Sequence, residues 1–439
     1  MLRSGAAIIF PVFLFCISLH GGKVKAQERD TIRIYKKIRD LAYRNKLTTL
    51  LYHAVFTDPA PEHYESKPLS DKQKTEDPNL RYKDKIIRRI ITEVYDPFGY
   101  SVNDTTRADI SSVQKLGNHY HIKTRRRIIN NLLLFKRSDK IDPAKISESE
   151  RLLRNAHYIN DARIYILPAD SSGDSVDVKV VVQDKWTVDA PFGATPVSAE
   201  VTLRDRNLLG LGQAYGQYAS YNISNREYEL RGNYQVGNMW NTYISSTLNY
   251  KTTKDLTDVN ASFDRPFYSA LSKWAGGLSG GRTWDYYVKE DSSDLLAKRY
   301  AVNFYTYDTW LARSFALPVT KKLNRRFSNF ILAGRYAGST YQDRPPLAVD
   351  TGKIYSGSGL YLASVGFSLS KYYKDEFIFR FGANEDIPEG IIVQGTVGLS
   401  TKESAASRYY YGFEISKGKH YDSSIYYLTR VLNFNPTLL

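Results

Sequence analysis

The sequence predicts an α/β domain of order β-α-α-β-β followed by an antiparallel transmembrane β-barrel that is incomplete at its C-terminus. Three observations carry this expectation. From about residue 197 onward, short segments alternate apolar and polar residues with period two, so each can show one face to lipid and the other to a wet lumen. The chain holds 35 Tyr against one Cys and two Met, an excess that suits the aromatic girdles where a barrel meets lipid headgroups. The N-terminus reads as an export signal. A soluble β-sandwich also alternates, and the export signal disfavours it.

The elements follow in chain order. Residues 1–26 form the signal peptide: Arg3 is the basic region, residues 5–19 are apolar, and Val24-Lys25-Ala26 before Gln27 is the cleavage site. An apolar run of about 15 residues is too short to span a bilayer, which needs roughly 20. Cys16 follows Phe15, where a lipoprotein site needs a small residue, so lipidation is not expected. After cleavage the chain has no cysteine and no disulfide. Residues 27–56 form an N-terminal helix with Ile34, Ile38 and Leu41 on one stripe. Residues 57–79 are a linker, with Pro59, Pro61, Pro68 and Pro78 among charges.

Residues 80–187 make the α/β domain. Residues 85–95 are a β-branched strand closed by Asp96-Pro97-Phe98-Gly99, and residues 124–135 a helix with Ile128, Leu132 and Phe135 on one side. Asp142 before Pro143 is an N-cap with proline at the first helical position, and that helix runs to about Asn155. Ser147-Glu148-Ser149-Glu150 matches a capping box but lies inside its first turns. Residues 159–167 and 176–183 are strands. The barrel, residues 188–439, shows its alternation at Tyr228-Leu230-Gly232-Tyr234-Val236, Val259-Ala261-Phe263, Phe377-Phe379-Phe381, Ile391-Val393-Gly395-Val397-Leu399 and Tyr409-Tyr411-Phe413-Ile415.

Net charge is +15 and mean hydropathy −0.43. Basic runs such as Arg125-Arg126-Arg127 read as solvated surface, with anionic lipid headgroups as the alternative partner. Nucleic acid is not expected for an exported chain. No other run is long and apolar enough for a membrane helix, which points to a Gram-negative outer membrane with the N-terminal domain in the periplasm.

The wording of two stretches resembles a known family. The order β-α-α-β-β, with "NNLLLFKRSDKIDPAKISESERLLRNAHYINDARIYILP" and then "DSVDVKVVVQDKW", is similar to the polypeptide-transport-associated (POTRA) domain. The stretch "LRDRNLLGLGQAYGQY" resembles the first barrel hairpin of the outer-membrane assembly-factor superfamily (bacterial surface antigen, BamA- and TamA-like), matching at Asn207, Gly210 and Gly212. "FDRPFYSALSKWAGGLSG" and "FRFGANEDIPEG" look like inter-strand segments of such barrels. The family's later V-R-G-F/Y loop is absent. The resemblance implies assembly, insertion or translocation of other polypeptides by strand pairing, since an unpaired strand edge offers N–H and C=O groups to an incoming strand. It implies a POTRA edge at Tyr158, Ile159, Ala162, Ile164 and Ile166. It also implies a first barrel strand at about 198–206 that parts from the last, with Ala199, Val201 and Leu203 setting the lipid side. The implied partners are unfolded outer-membrane polypeptides, outer-membrane lipids and periplasmic accessory proteins.

Two other functions are weighed. One is a passive pore. The other is a lipid hydrolase using Gly277-Leu278-Ser279-Gly280-Gly281, which fits G-x-S-x-G, although no helix pattern follows as a nucleophile elbow needs. Gly210, Gly212 and Gly216 lack dinucleotide-loop spacing. His119-Tyr120-His121 sets two imidazoles on one side of an extended segment with no third ligand, so neither a metal nor another cofactor is expected. Trp186 is expected where the α/β domain meets the barrel. About 12 or 13 strands are expected after residue 198, against about 16 for the family. The first strand near Val201 and the last near Tyr426 are therefore expected not to form a continuous ladder.

Overall fold

The structure is a computed structural model of the chain. It describes residues 78–103, 107–168, 174–289, 298–317, 327–376, 384–421 and 424–434. The signal peptide, the N-terminal helix, nearly all of the linker and the Phe377-Phe379-Phe381 pattern lie outside the described residues.

The N-terminal unit contains β1 (Ile86–Tyr95), α1 (Ser112–Tyr120), α2 (Arg126–Asn130), α3 (Pro143–Asn155), β2 (Ile159–Pro168) and β3 (Ser175–Asp184). Its sheet has the order β1-β3-β2, with β1 parallel and β2 antiparallel to β3. Alternation sends Val176, Val178, Val180 and Val182 of the central strand into the core, against Ile129, Ile146 and Leu153 of the helices. All seven are buried, and each contributes about 1.5–3 kcal/mol by leaving water. Asp142 caps α3 by accepting from the Ala144 N–H at 3.0 Å, with Pro143 in the first turn. Ser149, inside that helix, accepts from the Leu134 N–H instead of capping.

Two elements differ from expectation. The helix expected over residues 124–135 is only α2. Thr124 gives its N–H and hydroxyl to Asp184, and Arg125 makes no side-chain cap, so the helix starts late and lacks an anchored first turn. The segment before it contains α1, which places His119 in a helical last turn and His121 at its extended C-cap, so the two imidazoles do not share one side of a strand.

The second sheet has 14 strands joined by antiparallel neighbours, from β17 back to β4. Its members are β4 (Val188–Asp189), β5 (Phe192–Ala194), β6 (Ser198–Asp205), β7 (Gln213–Asn222), β8 (Glu227–Met239), β9 (Ile244–Thr253) and β10 (Thr257–Arg265). They continue with β11 (Trp274–Lys289), β12 (Lys298–Ala316), β13 (Phe327–Asp343), β14 (Ser358–Glu376), β15 (Asn384–Lys402), β16 (Ala405–Tyr421) and β17 (Ser424–Phe434). From β6 onward twelve strands are present among the described residues. The register sets the two faces. Tyr234 lies opposite Leu248, Phe263 opposite Leu278 and Val397 opposite Tyr411, all with exposed rings or branches. On the other face Asn233 pairs with Asn249, the Thr283 hydroxyl donates to Asp258, and Asp308 forms an ion pair with Arg335. One face is thus an apolar belt and the other is polar.

The start of the sheet needs correction. β6 is not its margin: the broken strand β4–β5 covers it, with Phe192 opposite Val201 and Val188 opposite Asp205. Pro191 interrupts that strand. Having no N–H, proline is tolerated at a sheet edge, and its carbonyl accepts from the Thr202 N–H at 2.9 Å. Among the described residues no ladder joins β17 to β4, β5 or β6, so the sheet is open there as expected. Of the stretch 263–280 expected between strands, residues 266–273 join β10 to β11, while 263–265 belong to β10 and 274–280 to β11. Residues 384–390 instead belong to β15.

Candidate functional site

The turns at one end of the large sheet grip the N-terminal unit, and the sequence-predicted residues meet there. In the β6–β7 turn, buried Asn207 donates from Nδ2 to the Thr124 hydroxyl and accepts the Gly212 N–H on Oδ1, both at 2.8 Å. Thr124 in turn donates twice to the fully buried Asp184, which also takes His121 Nε2 at 2.9 Å. The Arg125 N–H donates to the Gly210 carbonyl at 2.9 Å. Gly210 has φ +70°, and a Cβ there would fall 2.3 Å from the Lys123 carbonyl oxygen. Gly212 has φ +65°, and its Cβ would sit 3.0 Å from Ile128 and Tyr158. Both glycines are therefore required by left-handed backbone and by close approach of the two units.

Three further segments complete the junction. Asn238 Nδ2 donates to the Asn131 carbonyl at 3.0 Å, and Tyr243 stacks on Tyr268 with ring centroids 3.8 Å apart. The Ser269 hydroxyl donates to Glu148 at 2.7 Å, while Arg151 pairs with Glu148 and donates to the Tyr268 carbonyl. Arg151 also lies over the Tyr372 ring of β14. From β15, Asp386 accepts both Nε and Nη2 of Arg154, at 2.9 and 2.8 Å. The Arg154 and Asp386 side chains are 3% and 4% exposed. Burial works against the Arg154 charge, but the Asp386 and Glu150 carboxylates outweigh it and hold the guanidinium pKa above its ordinary value.

The same residues act on the margin of the small sheet. Among the described residues β2 has one ladder partner, β3. On its other side, the Ala162 carbonyl accepts from Arg154 Nη1 at 3.2 Å and the Ile164 N–H donates to Glu150 at 3.0 Å. The Ala162 N–H goes to the Asp161 carboxylate at 2.7 Å. Three backbone groups that an added strand would use are thus held by side chains. The side chains of Ile159, Ala162, Ile164 and Ile166 point into the core. Tyr158 precedes the strand, and burial pushes its hydroxyl pKa far above the ordinary value. Ala199, Val201 and Leu203 lie exposed on β6, each paired with β5 or β7. Sequence reasoning missed Glu150, Arg154 and Asp386. Glu150 and Arg154 share an i, i+4 spacing that could have flagged them, whereas Asp386 is 232 residues from Arg154.

The polar face lines a cavity of about 750 Å³ bordered by Ser262, Asp264, Ser279, Asp308, Arg335 and Thr396. Ser279 sits mid-strand in β11, opposite Ser262 and Asp308, with no strand-to-helix elbow. Trp186 packs on Phe98, ring centroids 6.4 Å apart, and is 44% exposed, one residue before Thr187, whose hydroxyl donates to Asp205. No group of three metal-ligating side chains is present among the described residues. No helix among them is long and apolar enough to cross a membrane.

No family model matches the sequence, and no curated protein matches it. The structure is similar to that of BamA from Haemophilus ducreyi lacking POTRA domains 1–3. That match has 10% identity and a TM-score of 0.32, and covers 81% of this chain and 82% of that one. It is also similar to CdiB from Acinetobacter baumannii, at 12% identity and a TM-score of 0.38, covering 82% of this chain and 54% of that one.

Proposed function

We propose that the chain is an outer-membrane protein that assists the assembly, insertion or translocation of other polypeptides through strand pairing. Its N-terminal unit is a periplasmic POTRA-like domain. The observation that carries this reading is the pair of margins of the large sheet: β17 and the broken β4–β5 each have one ladder partner among the described residues. Such margins are templates for an incoming strand. At β2 the outward backbone groups are held by Glu150 and Arg154, and the same arginine ties that margin to β15, so the large-sheet margins are the ones left to pair. The clients are unfolded outer-membrane polypeptides, the surroundings are outer-membrane lipids, and periplasmic accessory proteins are further partners. The 750 Å³ cavity bordered by Asp264, Asp308 and Arg335 favours a second reading, a passive pore.

Vesicles containing the protein separate the two. Accelerated folding of an added test barrel supports assembly. Ion conductance without acceleration supports the pore and sinks the first reading. The protein itself is expected in the outer-membrane fraction and to migrate faster on gels when unboiled, as a resistant barrel does.

A further inference from the structure

α1 carries an apolar face that is exposed among the described residues. Ser111 caps the helix, and the side toward the unit is formed by Gly117, which approaches Phe98, and Asn118, which exchanges hydrogen bonds with the Phe98 backbone. No residue of the helix is buried. Val113, Leu116 and Tyr120, spaced i, i+3 and i+7, form one stripe flanking the Gly117 side and are 47%, 58% and 69% exposed. Ile122, just past the helix, is 55% exposed and packs beside Gly210 at the β6–β7 turn. Leu209 in that turn is 53% exposed. The stretch from Ser111 to Arg127 contains Lys115, Lys123, Arg125, Arg126 and Arg127 and no Asp or Glu. Lys123 pairs with Asp96; the three arginines are exposed.

The position of this face argues for one occupant. The Arg125 N–H and Thr124 hydroxyl bind the β6–β7 turn, so the basic stretch sits at the rim of the barrel. Tyr215, exposed on the same face as Tyr234 and Leu248, is the nearest belt residue on β7. It lies three residues beyond Gly212, about 10 Å along the strand and about 7 Å in height for a strand tilted near 45°. That is the depth at which amphipathic helices lie in a headgroup boundary, apolar side down and basic residues toward anionic lipid.

We propose that α1 and the basic stretch to Arg127 form a lipid-surface element. It lies in the periplasmic leaflet beside the β6–β7 turn, with Val113, Leu116 and Tyr120 in the acyl boundary and Arg125–Arg127 on anionic headgroups. The proposal rests on reading the large sheet as membrane-spanning.

The full chain carrying Cys16→Ser and one labelled cysteine, Leu116→Cys or Leu248→Cys, is reconstituted in phosphatidylethanolamine–phosphatidylglycerol vesicles. Quenching by acyl-brominated phospholipid and by aqueous iodide is then read. Both labels are expected to be quenched by bromolipid and shielded from iodide. With Arg125→Gln, Arg126→Gln and Arg127→Gln combined, or in phosphatidylcholine alone, bromolipid quenching at residue 116 is expected to fall by about twofold or more. Quenching at residue 248 with residue 116 open to iodide overturns the proposal and leaves the barrel reading standing. Shielding of residue 116 without bromolipid quenching assigns the face to protein and also overturns it. Absence of bromolipid quenching at both residues overturns the membrane-spanning reading and this proposal together.

Discussion

Arg154→Met is the most informative perturbation of the junction. The wild-type guanidinium makes two hydrogen bonds to Asp386, one to Glu150 and one to the Ala162 carbonyl, at 2.7 to 3.2 Å. Methionine fills the space but leaves the Asp386 and Glu150 carboxylates without that cation and a backbone carbonyl without its donor. Removing one partner of a buried ion pair costs about 3–5 kcal/mol, because the other charge stays buried and uncompensated. With side-chain exposures of 3% for Arg154 and 4% for Asp386, little solvent screening reduces this figure. Glu150, at 13% exposure, recovers part of its hydration.

The assay is reversible urea unfolding of the vesicle-reconstituted protein, followed by hydrogen exchange of the β2 amides. Arg154→Met is expected to lower stability by about 3–5 kcal/mol. The double variant Arg154→Met with Asp386→Leu is expected to lose less than Arg154→Met alone, since an apolar pair can replace an ionic one at little cost. Glu150→Ala removes the acceptor of the Ile164 N–H, a charged hydrogen bond worth about 1.5–3 kcal/mol, so protection of that amide is expected to fall by about tenfold or more. A double variant as unstable as the sum of the two single variants, or an Ile164 amide unchanged by Glu150→Ala, refutes the linked clamp.

Other predictions follow from the same geometry. Gly210→Ala places a Cβ against the Lys123 carbonyl at a left-handed φ, so it is expected to cost about 2 kcal/mol or more and to lower the yield of heat-modifiable barrel, with Gly216→Ala as the mild control. Ile164→Pro removes a β2 donor and is expected to abolish both the fold of the N-terminal unit, seen by circular dichroism, and any binding of extended peptide. Asp177, gripped by Arg88 and Arg89, has its carboxyl held well below the usual range. Its contribution is fully present above the unfolded value near 3.9 and is lost as pH falls through the folded pKa, and Asp177→Asn is expected to flatten that acid limb of a stability–pH curve. His157 is pushed down by burial, with Arg206 and Lys185 adding repulsion. The stability it carries is present above the unfolded value near 6.5 and erodes as pH falls toward its folded pKa, so His157→Gln is expected to remove the slope just below neutrality.

The parts of this molecule legible in the sequence are those that repeat over short range. Period-two alternation found the strands because each residue's face is set by its own backbone, whatever strand lies alongside. Asp142 and Pro143 announced α3 because a cap adjoins the helix it starts and binds an amide only two residues on. The signal for α1 was present as Ser111 and Gln114, which form both bonds of a capping box, but the helix buries none of its apolar residues and so lacks the core-facing role by which helices are usually recognised. The broken strand β4–β5 escaped because Pro191 splits it into pieces too short to alternate. What remained hidden is what joins distant segments. Arg154 reads as an ordinary basic residue near a helix C-terminus, and Asp386 as one acid in a strand; their meaning appears only when β15 reaches α3. Asn207, Gly210 and Gly212 stood between these cases: their spacing marked a tight turn, while the contact that forbids a side chain at Gly210 comes from Lys123, in the other unit. A residue whose local role is readable can therefore have its stronger constraint across an interface, and at this junction the turn glycines and the α3 arginines constrain the same docking from opposite sides.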